Sequence, residues 1–186
     1  MSATADEVWT LLRELVAAQQ DTDRKFQETD RKFQETDRQI QKVVNSLGRL
    51  GNRLGDFVEE MVKPALVRLF QARGIAVHEV HRGVSAERLG EAIEIDLLVV
   101  NDSDVIAVEC KSSLSNDDVD EHLARLGKLR RLLPRYAEAR IMGAVAAMVL
   151  PDDVARYAYR KGLFVLAQSG DGVVIRNNIG FVPAAW

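Results

Sequence analysis

Apolar residues recur every seven positions through the first third of the chain. The segments Thr-Asp-Arg-Lys-Phe-Gln-Glu at 22–28 and 29–35 are identical, and Thr-Asp-Arg-Gln-Ile-Gln-Lys at 36–42 continues them. With Phe26, Phe33, Ile40, Leu47 and Leu54 at a positions, the d positions are Thr22, Thr29, Thr36, Val43, Leu50 and Phe57, and the frame extends back through Leu15, Leu12 and Val8. One phase over residues 8–57 predicts a helix of roughly 75 Å at about 1.5 Å per residue. Asp23, Asp30 and Asp37 fall at e, and Lys25 and Lys32 at g. A parallel pair sets Lys25 against Asp30 and Lys32 against Asp37, whereas an antiparallel pair opposes like charges. The pattern therefore predicts a parallel homo-oligomer of open strand number, with a solvated single helix as the competing reading. Exposed ion pairs choose orientation here more than they stabilise. Gly48, Gly51 and Gly55 lie on one stripe of the helix. Each weakens a helix by roughly 1 kcal/mol relative to Ala, so the arm either hinges there or is closely packed.

Beyond Leu54 the period changes. Leu54, Phe57, Val58, Met61, Val62, Ala65, Leu66, Leu69 and Phe70 predict an amphipathic helix, interrupted by Pro64 and ended by Gly74. Ile75 to Val80 reads as a strand, and Gly83 to Gly90 as a charged loop. Two further strands, Ile93–Asn101 and Val105–Lys111, flank the polar turn Asn101-Asp102-Ser103-Asp104. Asn116-Asp117-Asp118 opens a helix that runs to about Leu133, before Pro134. Ile141 to Leu150 is a buried strand, residues 151–161 a short helix, and Leu163–Ala167 and Val173–Ile175 the last strands. Long apolar strands separated by helices predict an α/β fold with a mixed sheet covered on both faces. The chain divides on this reading into an arm, residues 1–50, and a globular domain, residues 51–186.

The 186 residues suffice for one ordinary domain with an extension. The formal net charge of -3 excludes a basic coat protein and leaves only a local patch for nucleic-acid contact. A single cysteine, Cys110, rules out an intrachain disulfide and favours a reducing, cytoplasmic setting. The residues at the amino terminus carry no signal-peptide pattern, and the longest apolar stretch is too short to span a bilayer.

The chemistry concentrates on the central hairpin. Asp96 interrupts an apolar strand, and the next strand ends in Glu109-Cys110-Lys111. Alternation along a strand puts Glu109 and Lys111 on one face and Cys110, with Val108, on the other, where Cys110 fills core. A hairpin can lay Asp96 beside the Glu–Lys pair. Two carboxylates and an amine at the end of a sheet suit a divalent cation and an attacking water, although Lys111 simply pairing with Asp96 or Glu109 is the plainer alternative. Glu94 reads as a solvent residue. His78, His81 and His122 show no metal-ligand spacing, and His81 and Arg82 read as surface residues able to approach a phosphate.

The αβββαβ order, with Ile95-Asp96 in the second strand and Glu109-Cys110-Lys111 in the third, resembles the PD-(D/E)XK nuclease superfamily over roughly residues 52–168. The likeness is to its predicted-nuclease branch with a preceding heptad helix. Ile95 stands where the family name has Pro. The resolvase-like members carry Gly-x-x-x-Glu on the first helix, and Gly55-Asp56-Phe57-Val58-Glu59 fits. Glu59 lies at the margin of the apolar face, whereas Glu60 faces solvent.

The resemblance implies a restriction-endonuclease-like core and hydrolysis of DNA phosphodiesters. Asp96, Glu109, the Cys110 backbone carbonyl and Glu59 would hold Mg²⁺ or Mn²⁺ through hard oxygen ligands. The metal would acidify a water, and Lys111 would orient it or neutralise developing charge. Arg125, Lys128, Arg130, Arg131, Arg135 and Arg140 form the basic stretch nearest this site, with Arg125, Lys128, Arg131 and Arg135 the expected phosphate contacts. An ordinary solvated helix face is the other reading of that stretch. At the level of function the alternative is a non-catalytic adaptor, a nuclease fold used for binding with the arm setting stoichiometry.

Overall fold

The computed structural model describes residues 5–88, 90–170 and 172–186, apart from the side chains of residues 5, 6, 47–49, 52 and 53. The side chain at the a position Leu47, the surroundings of the glycine at 48, and residues 1–4 lie outside what is described. The chain divides into two units, Met1–Gly51 and Asn52–Trp186.

The first unit is helical throughout its described part, within helix α1 (Ala5–Gln71). Its apolar positions stay in solvent: Phe26, Phe33, Ile40, Val43 and Leu50 are all exposed. The threonines at d bond backward, since Thr22, Thr29 and Thr36 each donate Oγ1–H to the carbonyl four residues earlier, at 2.8 Å. Their hydroxyls are thereby satisfied within the helix. Lys25 pairs along its own helix with Asp21 at 2.7 Å. Among the described residues, no side chain comes within 4 Å of a Cβ built on Gly51 or Gly55, so no close approach within the chain accounts for those glycines.

The second unit is an α/β domain. Strands β1 (Glu79–Arg88), β2 (Glu91–Val100), β3 (Asp104–Ser113), β4 (Arg140–Val149), β5 (Phe164–Ser169) and β6 (Gly172–Ile175) form one sheet in sequential order. β1–β2, β2–β3 and β5–β6 are antiparallel, and β3–β4 and β4–β5 are parallel. The parallel crossovers run through helices α2 (Asn116–Leu132) and α3 (Asp152–Arg160). Two right-handed crossovers advancing in one direction place both helices on one face. Val119, Leu126, Leu129, Val154 and Ala158 accordingly share a core with Ile95, Leu98, Ala107 and Val145. The other face is covered by the carboxy-terminal part of α1, whose Val58, Val62, Leu66 and Phe70 pack with Leu97, Val108, Cys110 and Phe164. The four-residue spacing is a helix's own stripe. Each such side chain, fully buried, contributes about 1.5–3 kcal/mol.

The mixed sheet and the αβββαβ order agree with the expected fold, and Cys110 fills core as expected. The helix runs on through Pro64 and ends at Gln71, and Gly74 adopts φ +77° just beyond it. One strand is misplaced by the sequence pattern. Ile75 and Val77 are buried but not in a strand, and the segment Gly83–Arg88 expected as loop belongs to β1, which pairs with β2 from Glu79↔Val100 to Arg88↔Glu91. β1 is an edge strand, largely exposed, so it lacks the apolar run by which strands announce themselves. At β4, a Cβ on Gly143 would fall 2.4 Å from Leu126 Cδ1 and 2.5 Å from Leu163 Cδ2, so this glycine lets α2 seat closely on the sheet.

Candidate functional site

The sheet changes phase at Asp96. Ile93 and Ile95 pack in the core beneath α2 and α3, whereas Leu97 and Val99 pack in the core beneath α1. Strict alternation would keep these odd-numbered residues on one face. The β2–β3 register ends at the same place, with Leu97↔Val108 its last pair. Past it, Asp96 Oδ2 accepts the Cys110 backbone N–H at 2.7 Å, a side chain standing in for the ladder. Asp96 therefore lies where the two faces of the sheet meet, and its charge acts on Glu59 from one side and on Glu109 from the other.

Glu109 is buried, 3% exposed, on the α2 face. Lys111 Nζ lies 3.2 Å from its Oε1 and Arg125 Nη2 lies 2.6 Å from its Oε2. The Arg125 approach is an ion pair without hydrogen-bond alignment, so Glu109 Oε2 and Arg125 Nε and Nη2 are buried with no hydrogen-bond partner. Burial, and then the charge of Asp96, hold the Glu109 carboxyl above its ordinary range. Burial disfavours the charged Lys111, but Glu109 and Asp118 outweigh it and keep the ammonium more basic than usual. Asp118 Oδ1 is 3.4 Å from Lys111 Nζ, and its Oδ2 accepts the Ser115 backbone N–H at 2.9 Å in the capping box that starts α2.

Glu59 comes from the other face. Asp56, Glu59 and Glu60, at helical spacings of three and four, are gathered by one guanidinium: Arg82 Nε donates to Glu59 at 2.6 Å, Nη1 to Glu60 at 2.8 Å and Nη2 to Asp56 at 2.5 Å. Glu59 is the most enclosed of the three, and Glu60 points to solvent as expected. Burial raises the proton affinity of Glu59, Arg82 lowers it and Asp96 raises it, with a net upward shift. The Cys110 thiol is likewise pushed up by burial and by these carboxylates.

The structure thus brings Asp96 into electrostatic reach of Glu59 and Glu109, and Lys111 onto Glu109. Glu94 is exposed. The expected phosphate contacts on and just after α2 are largely engaged: Arg125 with Glu109, Arg131 with Glu91, and Arg135 over the Tyr136 ring at 4.7 Å. Arg130 donates to the carbonyls of Ala139 and Trp186, and Arg140 pairs with Asp104.

Three participants escape sequence reasoning. His122 is fully buried, its Nε2 at 3.1 Å from the Ala107 carbonyl and its Nδ1 at 3.8 Å from Glu109 Oε2. Burial, reinforced by Arg125, pushes its pKa down to about 3, so it is neutral and donates from Nε2 to the carbonyl. Arg82 and Asp118 are the others. The acidic stripe 56–59–60 is a signal that a cation packs against it, and Ser115-x-x-Asp118 is a legible cap. Nothing in the spacing couples either one to Lys111 or Asp96.

As ligands, Glu59, Asp96 and Glu109 are hard carboxylate donors whose mutual repulsion a divalent cation would relieve. Their chemistry, and a buried Glu109 Oε2 that accepts no hydrogen bond, fit such an ion. Among the described residues, however, no three His, Cys, Asp or Glu side chains converge as a ligand group. Arg82 and Arg125 occupy Glu59 and Glu109 instead.

No protein-family model and no curated protein matches the sequence. Among solved structures, the chain is similar to a crystal structure of a protein of unknown function, AF1548, with 16% identity, a TM-score of 0.39, and coverage of 55% of this chain and 54% of that one. It is also similar to a repair endonuclease from Pyrococcus abyssi, with 14% identity, a TM-score of 0.35, and coverage of 57% and 45%. The chain spans about half the length of the solved chains it matches.

Proposed function

We propose that this chain is a metal-dependent nuclease that hydrolyses phosphodiester bonds in DNA and self-associates in parallel through residues 8–57. The observation that supports this reading is the position of Asp96 between Glu59 on one face of the sheet and Glu109, beside Lys111, on the other, with both glutamates made harder to ionise by burial first and by the neighbouring Asp96 after it. Asp96, Glu109, Glu59 and the Cys110 carbonyl would hold Mg²⁺ or Mn²⁺, which when bound acidifies a water and offsets charge on the phosphate. Lys111, kept protonated by Glu109 and Asp118, places a fixed positive charge where the scissile phosphate would lie. Asp96 fixes the end of β3 through the Cys110 N–H, holding the Cys110 carbonyl and the Lys111 side chain in register. Arg82 withdrawn from Glu59, and Arg125 from Glu109, would free both carboxylates for the cation.

A second reading, a non-catalytic adaptor, draws on those same arginines. Glu59 and Glu109 are already neutralised within the protein, so the fold needs no cation to tolerate them. Incubation of the purified protein with plasmid and branched DNA in Mg²⁺ or Mn²⁺ decides. Cleavage that disappears in Asp96→Ala and Lys111→Ala supports the nuclease. No cleavage by wild type, with no Mg²⁺ or Mn²⁺ binding by calorimetry, supports the adaptor.

A further inference from the structure

The groove between α3 and the β5–β6 edge gathers three arginines, two of them uncommitted, around one cavity. It is an open cavity of about 570 Å³, lined by Arg156, Arg160, Arg176, Tyr159 and Asp152 among others. Among the described residues, the side chains of Arg156 and Arg160 meet no carboxylate and make no hydrogen bond, whereas Arg176 Nη2 lies 3.1 Å from Asp152 Oδ1. Asp152 is 73% exposed, so that pair is weak and exchangeable. Three guanidiniums therefore face one carboxylate, in a protein whose net charge is -3. The contrast with α2 is direct, because Arg125 and Arg131 there are each tied to an acid, as is Arg140 at the start of β4.

The geometry points to this groove as the contact for the sugar–phosphate backbone of nucleic acid, a proposal that rests on the nuclease reading and names where its substrate is held. Arg156 and Arg160 sit one helical turn apart on α3, about 5–6 Å between Cβ atoms, a spacing suited to neighbouring phosphates of one strand. Tyr159 is fixed against Phe181, with ring centroids 4.8 Å apart, and walls the groove with a flat surface for a sugar or base. Asn177 offers no reading of bases from here, since its amide is spent on the Val165 N–H and the Leu163 carbonyl. Contact is thus to phosphate and independent of sequence. α3 shares its sheet face and core with α2, and Tyr157 donates to Asp120 of α2 at 2.7 Å. A strand seated in the groove therefore lies on the same face of the sheet as Glu109 and Lys111.

The test is fluorescence anisotropy of a labelled oligonucleotide titrated with full-length protein in EDTA, over a series of salt concentrations. R156E/R160E should weaken binding at least about tenfold and flatten the dependence of log K on log salt by roughly 0.7–0.9 for each phosphate no longer neutralised. R156Q/R160Q should give a smaller change of the same sign. Circular dichroism on each variant separates a binding defect from a folding defect. Unchanged affinity and slope in R156E/R160E, or wild type that binds no oligonucleotide, would overturn the proposal. Loss of binding in R156E/R160E with no cleavage by wild type in Mg²⁺ or Mn²⁺ would leave the groove standing and remove only the nuclease reading. Cleavage with a groove-independent affinity would do the reverse.

Discussion

Asp96 Oδ2 and the Cys110 backbone N–H are hydrogen-bonded at 2.7 Å, just beyond Leu97↔Val108, the last register pair of β2 and β3. The bond gives Asp96 a structural as well as an electrostatic role, and two substitutions separate them. Asp96→Asn keeps an acceptor but removes the charge, so both Glu59 and Glu109 should titrate lower than in wild type. Asp96→Ala also deletes a hydrogen bond to a charged group, a loss of about 1.5–3 kcal/mol. Carboxyl-carbon NMR titration reads the first effect and urea denaturation the second. Unmoved Glu59 and Glu109 titrations in Asp96→Asn would refute the electrostatic coupling.

His122 makes the domain acid-sensitive. Its folded pKa, about 3, lies below the ordinary value of 6.5. The unfolded chain therefore binds a proton that the folded one refuses. The contribution is complete above about pH 6.5 and is lost as pH falls toward 3, by about 1.4 kcal/mol per pH unit within that window. Arg125 and Lys111 face the ring and push the same way. Glu109, with its raised proton affinity, contributes with the opposite sign but is common to wild type and His122→Gln. Denaturation at pH 7 and pH 5 should show wild type losing more stability than His122→Gln; equal losses would contradict a neutral buried imidazole.

Arg82 is the counter-ion that keeps Glu59 ionisable. In Arg82→Gln the hydrogen bond and the positive charge both go, and the Glu59 pKa should rise further above its ordinary 4.5. Calorimetric titration with Mn²⁺ at neutral pH should then show tighter binding than wild type, because the ion no longer competes with a guanidinium. Weaker or unchanged binding would argue that Glu59 takes no part in holding a cation.

The heptad arm is tested by Phe26→Asp with Phe33→Asp. Both rings are exposed in the single chain, so the fold of the chain should survive. Sedimentation should report a monomer where wild type reports an oligomer. Unchanged mass would remove the coiled-coil reading.

Gly143→Ala should cost about 1–3 kcal/mol, since the added methyl overlaps Leu126 and Leu163 inside the core. A midpoint unchanged in urea would mean that α2 can lift from β4 without penalty.

Much of the domain was legible in the residues because burial writes period into sequence. β3, β4 and β5 are apolar runs enclosed on both faces, and Asn116-Asp117-Asp118 marks the start of α2. β1 was not legible, because its partner strand supplies its hydrogen bonds while its side chains stay in solvent; Val84 and Ala86 are its only partly buried apolar contacts with the core beneath α2. Asp96, Glu109 and Lys111 stood out because charge inside an apolar strand is anomalous. His122 and Arg82 did not, since an imidazole on a helix or an arginine on an edge strand is unremarkable until the fold brings Ala107 or Glu59 to it. The phase change at Asp96 is equally silent, because it is a property of the pleat and not of any residue type.

Asp118 carries a further consequence. One carboxylate starts α2 and also neutralises Lys111. Selection therefore cannot tune the lysine's surroundings at this position without also fraying the helix that bears His122 and Arg125. In a library of variants, losses of foldedness and of activity should travel together at Asp118 and come apart at Glu59. The first position resists drift from two directions, and the second is free to change whenever the chemistry is no longer needed.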